Sequence, residues 1–240
     1  MNTPRTPLDP RARAKGHGRY IKSMIYGGID GVITTFAVIA GGSGADLTHS
    51  VLLVLGIANL LADGFSMGFG DFISSRAENE FRKKETIHEE SMLEANPQNI
   101  KNQIQEMYVK KGFDVHEAET IAQIFSKNKD MVVSLFLAER GIFKTAISPV
   151  TKSLYTFFSF IFFGAIPLFT YLLLPYFDIV KNNTFSTACA LTGFTLFFLG
   201  SFKTRFTDRH WIMSGLEMIL LGGVSAFIAY MIGVLLGHLI

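Results

Sequence analysis

The chain has 240 residues, with 22 Lys and Arg against 20 Asp and Glu, 49% hydrophobic side chains, 23 Phe and one cysteine. A lone cysteine, Cys189, set in an apolar run, excludes a disulfide framework and a cysteine metal cluster. The basic residues lie between apolar runs instead of forming a patch, so the net charge of +2 does not point to nucleic acid.

The first 22 residues are basic and contain proline, with Arg5, Arg11, Arg13, Lys15, Arg19 and Lys22. No small-residue cleavage site follows the next apolar run, so this segment is expected to be a retained cytosolic tail and not a signal peptide. Lys and Arg are then absent from Ser23 to Ser75, and again from His210 onward. A membrane-crossing helix needs roughly 20 mostly apolar residues. Stretches of that kind fall at 22–43, 51–73, 153–177, 184–203 and 211–238. The segments between them alternate in charge: 43–50 has no Lys or Arg, 77–147 has ten, 178–183 has only Lys181, and Lys203, Arg205 and Arg209 follow the fourth span. This alternation predicts five spans, with the N-terminus and the 77–147 insertion cytosolic and the C-terminus outside. The expected divisions are 1–76 (tail and spans one and two), 77–147 (cytosolic helical domain) and 148–240 (spans three to five).

The insertion carries twelve acidic and ten basic residues with helical periodicity. Span two is predicted to continue as a polar helix to about Ala95, where Asn96-Pro97 stops it. A second helix spans Gln98 to Lys111 and ends at Gly112. Asp114 caps a third, with Glu117 completing a capping box, and a last helix near 130–140 ends at Gly141.

The chemistry lies inside the spans. Asp30 is 8 residues beyond Lys22, or about 12 Å along a helix. Asp63 is 12 residues into span two, about 18 Å along it and near the midplane. A carboxylate at such depth costs about 2.5–3.5 kcal/mol on insertion scales, which makes it a functional candidate. Asn59, Asp63, Met67 and Asp71 recur every four residues and share one helical stripe. Two carboxylates flanking a thioether suit a borderline first-row divalent ion better than Mg²⁺ or Ca²⁺. The competing structural reading makes Asp71 an interfacial residue near Arg76 and Met67 core filler. Gly27 with Gly31, Gly64 with Gly68, and Gly233 with Gly237 are small-xxx-small pairs. The first predicts a helix approaching close to Asp30, and the last reads as ordinary packing. Glu217 is expected to pair with Arg209 or Arg205.

On the polar continuation of span two, Glu85, His88, Glu89 and Met92 share a face and offer carboxylate, imidazole and thioether ligands. A solvated charged face beside Lys83 and Lys84 explains them equally well. Glu85-x-x-His88 is also the half-motif of di-iron bundles, but no second Glu-x-x-His occurs.

The stretches YGGIDGVITTF (26–36) and ADGFSMGFGDFISSRAE (62–78), with HWIMSGLEM (210–218), resemble signature segments of the vacuolar iron transporter family. The resemblance covers nearly the whole chain. It implies an all-α integral membrane protein with five transmembrane helices, a small cytosolic helical domain between helices two and three, and a homodimer with its ion path on the two-fold axis. It further implies export of Fe²⁺, and often Mn²⁺, from the cytosol in exchange for protons. Asp30 is then the pathway aspartate and Met67 the pathway methionine. Glu85, Glu89 and Glu139 match the family's cytosolic metal-collecting residues. Met92, Ile100 and Gln103 stand where glutamates are expected, and Leu135 and Phe136 replace two methionines, so weak cytosolic binding is expected. On this reading the protein is not an enzyme and has no resident cofactor. Its partners are a second copy, the transported Fe²⁺ or Mn²⁺ with protons, and the lipid bilayer. Its location is a vacuolar or other organellar membrane in a eukaryote, or the inner membrane in a bacterium. The alternatives are a proton-coupled carrier for another solute and a membrane-anchored di-iron oxidase.

Overall fold

A computed structural model describes residues 10–143, 148–173, 183–207 and 209–239. Over these residues the chain forms eight α-helices and a 3-10 turn, with no strand. They are α1 (Pro10–Gly44), α2 (His49–Ala95), α3 (Pro97–Lys110), α4 (Val115–Phe125), α5 (Lys129–Glu139), α6 (Pro149–Leu173), α7 (Thr184–Lys203), the 3-10 turn Thr204–Phe206, and α8 (Trp211–Gly237). Five of them, α1 over Tyr20–Gly44, α2, α6, α7 and α8, are long and apolar enough to cross a membrane. The expected end of span three at 174–177, and Lys181, lie outside the described residues. The chain divides into two units, Met1–Ile73 with Ile147–Ile240, and Ser74–Ala146.

In the first unit α1 packs against α6, α7 and α8, and α7 packs against both α6 and α8. Glycine sets the distances. A Cβ on Gly27 would lie 2.6 Å from the Thr156 carbonyl oxygen, one on Gly164 would lie 2.7 Å from the Gly31 carbonyl, and one on Gly31 would strike the Phe160 carbonyl. The helix admitted by the Gly27 and Gly31 pair is therefore α6. The buried stripe Gly56, Leu60, Gly64 and Gly68 of α2 faces the same helix, meeting Leu168, Phe160, Ile161 and Phe157. Gly233 and Gly237 of α8 meet Gly41 and Ala45 of α1, a helix-packing contact as expected. Phe36, Ile39, Leu52, Leu60, Phe160, Leu168, Tyr171 and Ala188 close the main core.

Only 6% of the most apolar window of α8 is buried, against 50% for α1. Leu220, Phe227 and Leu235 stand out at 66%, 64% and 66% exposure. Such a surface is costly in water and ordinary in lipid, where burial between helices has no hydrophobic driving force. Glu217 pairs with Lys203 at 3.7 Å, and not with Arg205 or Arg209 as its neighbourhood in sequence suggested. Lys203 sits on the last turn of α7, which packs against α8.

The second unit is built by local rules. Asn96 caps α3, accepting from the Asn99 amide at 3.0 Å, with Pro97 as the first helical residue. Asp114 and Glu117 form the expected capping box on α4. The Glu117 and His116 amides hold the Asp114 carboxyl below its usual range. Asn128 caps α5. Gly112 and Gly141 end α3 and α5 at φ +99° and +75°, a left-handed geometry that glycine adopts without strain. Ile100, Ile104, Ala122, Val132 and Phe136 form its core, with Leu93 and Leu135 against it. Leu135 and Phe136, at the positions where the family resemblance expects methionines, thus serve as packing here.

Candidate functional site

The first two membrane-length helices each carry a carboxylate within their apolar run. Asp30 on α1 and Asp63 on α2 are both half-buried and within electrostatic range of one another. Neither has an ion-pair partner among the described residues. Asn59 Nδ2 donates to Asp63 Oδ2 at 2.8 Å, which fixes that carboxylate along the helix. One turn beyond Asp30, Thr34 Oγ1 donates to the Asp30 carbonyl at 2.8 Å. This back-bond spends the hydroxyl on the helix and leaves the Asp30 side chain unengaged by it.

The four stripe residues Asn59, Asp63, Met67 and Asp71 are all half-buried. They border the glycine stripe that faces α6 on one side. On the other lies an exposed line of small residues, Ala58, Ala62, Ser66 and Gly70. Met67 packs against the main core cluster, so its thioether belongs to a packed wall as well as to the stripe.

Asp71 is engaged differently from Asp30 and Asp63. Lys152 Nζ lies 2.5 Å from its Oδ1, and Thr156 Oγ1 donates to its Oδ2 at 2.7 Å. Lys152 and Thr156 are one turn apart at the start of α6 and were not among the sequence candidates. The available signal was a single Lys four residues before a Thr, at the head of an apolar run.

In the second unit, Arg140 reaches two glutamates of α2, Glu85 and Glu89. Its NH1 lies 3.2 Å from Glu85 Oε2, and its NH2 lies 2.6 Å from Glu89 Oε1. The Glu89 oxygen is sealed from solvent and meets the guanidinium off the line of an N–H bond, so this contact is mainly a charge pair. Glu139 pairs with Lys111 at 2.6 Å. His88 and Met92 are exposed. Among the described residues, no three His, Cys, Asp or Glu side chains gather as a metal-sized cluster.

Five membrane-length helices, two of them carrying a half-buried acid with no cationic partner among the described residues, define a polytopic α-helical membrane protein with polar groups set in its apolar spans. Residues 21–234 match the VIT family. The chain is 35% identical over 224 residues to the vacuolar iron transporter of Plasmodium berghei (strain Anka), covering 90% of this chain and 82% of that one. It is 33% identical over 223 residues to the vacuolar iron transporter of Plasmodium falciparum (isolate 3D7), covering 90% and 82%. It is 26% identical over 223 residues to vacuolar iron transporter 1 of Arabidopsis thaliana, covering 92% and 88%. The chain belongs to the vacuolar iron transporter (VIT) family, as the stretches at 26–36 and 62–78 indicated.

Proposed function

We propose that this protein carries divalent transition-metal ions, Fe²⁺ first and Mn²⁺ second, out of the cytosol across an organellar membrane in exchange for protons. The observation that carries the reading is the pair Asp30 and Asp63, half-buried in membrane-length helices and within electrostatic range of one another, with no cation supplied by the described residues. Acids at that depth are retained where they meet an ion or a proton. The names of the relatives, vacuolar iron transporters, support metal as that ion and a vacuole as its destination.

The cytosolic ion reaches Asp71, passes the Met67 thioether, and is held by Asp30 with help from Asp63. Carboxylate and thioether together favour a borderline ion over a hard one. Protonation from the far side releases it, since a protonated acid is a poor ligand. A single chain offers few ligands, and a second copy placed along the α2 stripe would double them. The exposed line Ala58, Ala62, Ser66 and Gly70 supports that placement, because small residues let membrane helices approach closely.

Uptake of Fe²⁺, Mn²⁺, Zn²⁺ and Ca²⁺ into proteoliposomes under an imposed pH gradient tests the reading. Wild type should move Fe²⁺ and Mn²⁺ with counterflow of protons. Asp30→Asn, which keeps size and removes charge, should abolish uptake while the protein still folds. Near wild-type uptake in that variant would remove Asp30 from the path. Proton flux driven by an organic solute alone, or Fe²⁺-dependent oxygen consumption, would favour the carrier or oxidase alternatives.

A further inference from the structure

The start of α6 does more than brace α2. Asp71 is 19% exposed and Lys152 30%, so the pair is neither sealed in the core nor fully exposed. Both carboxylate oxygens are taken, one by the ammonium and one by the hydroxyl of Thr156, itself buried at 1% exposure. The Thr156 carbonyl is also the surface on which Gly27 of α1 rests, so this turn of α6 ties Asp71 to the helix that carries Asp30.

We propose that Lys152 is a specificity-determining residue of the transport path: a tethered monovalent cation that occupies Asp71 between transport events and that only a divalent ion displaces. This rests on the transport reading above, with Asp71 on the route. The chemistry is a competition for one carboxylate. An ammonium held at 2.5 Å carries a single charge and cannot diffuse away, so Na⁺ or K⁺ gains nothing by replacing it. An ion of charge two at a similar distance has twice the Coulomb attraction and wins the site. The displaced ammonium stays nearby and lowers the affinity of the ion it admitted, which favours onward movement. The same group thus rejects monovalent ions and keeps the mouth of the path from trapping its cargo.

Lys152→Gln separates this from a purely structural role, because the amide still donates to Asp71 but carries no charge. In proteoliposomes the KM for Fe²⁺ should fall about two- to five-fold, the range expected for a partly exposed charge pair. Turnover should fall with it, and K⁺ at physiological concentration should begin to inhibit. Lys152→Arg should restore the KM and the indifference to K⁺. In detergent, Mn²⁺ should raise the melting temperature of the Gln variant more than that of wild type, since tighter binding to the folded state stabilises it further. Should the Gln variant fail to fold, Lys152→Met is read in the same assays. A structural brace instead predicts an unchanged KM in the Gln variant with at most a lower turnover, and that result overturns the proposal. Wild type with Fe²⁺ flux, dead Asp30→Asn, and an unchanged KM in Lys152→Gln would defeat this inference alone. Absence of Fe²⁺ and Mn²⁺ flux in wild type would defeat the transport reading and this inference with it.

Discussion

Arg140 neutralises Glu89, a carboxylate only 4% exposed, from the residue that closes α5, and it holds Glu85 with its second nitrogen. The two glutamates stand one turn apart on α2, the spacing at which a pair of carboxylates on one helix face can grip a divalent ion. The guanidinium fills that position instead. Removing it leaves a buried charge uncompensated, which costs up to about 3–5 kcal/mol, less to the extent that water reaches the space the half-exposed guanidinium leaves. Arg140→Ala should therefore lower the melting temperature of the full-length protein. The same change vacates both carboxylates, so calorimetric titration with Mn²⁺ should show binding that is weak in wild type and tighter in the variant. Addition of Glu89→Gln should recover the stability and remove the new binding. Tight multi-site binding in wild type, lost on the double change Glu85→Ala and Glu89→Ala, would show that metal outcompetes Arg140.

Met67 lies both on the acidic stripe and against the main core, so its two roles need a substitution that separates them. Met67→Leu conserves volume and should cost less than about 1.5 kcal/mol. It removes the thioether, and Fe²⁺ uptake should fall relative to Mn²⁺ uptake. Met67→Asp should move preference further towards hard ions, Ca²⁺ included. An identical ion profile in wild type and the Leu variant would leave Met67 with packing alone.

Gly31 and Gly164 hold α1 and α6 at backbone contact. Gly31→Ala drives a methyl group into the Phe160 carbonyl, and the two helices must part. The expected loss is about 1–3 kcal/mol, the range for overpacking, read as a lower melting temperature in detergent. Gly193, on α7, has nothing within 4 Å of a built Cβ. Gly193→Ala should be neutral or stabilising by up to about 1 kcal/mol and serves as the control for the general effect of glycine replacement.

Much of this architecture was legible in the amino-acid sequence because its signals are local. Hydropathy and the absence of Lys and Arg marked the five membrane-length helices. Asn96-Pro97, the Asp114 and Glu117 box, Gly112 and Gly141 marked the breaks of the second unit, because a cap or a left-handed turn is satisfied within a few residues of itself. Helical periodicity put Asn59, Asp63, Met67 and Asp71 on one stripe, since a residue's angle on its own helix needs no neighbour. What crosses that stripe is a property of other helices, and only the tertiary structure decided it. Lys152 and Asp71 are 81 positions apart, and Arg140 and Glu85 are 55 apart. Glu217 took Lys203 on the packed helix α7 instead of the arginines beyond it. Periodicity named the acids, and packing chose their partners. The difference between a carboxylate open to an ion and one already held by a cation lies in which helix the glycines admit, here α6 against both α1 and α2.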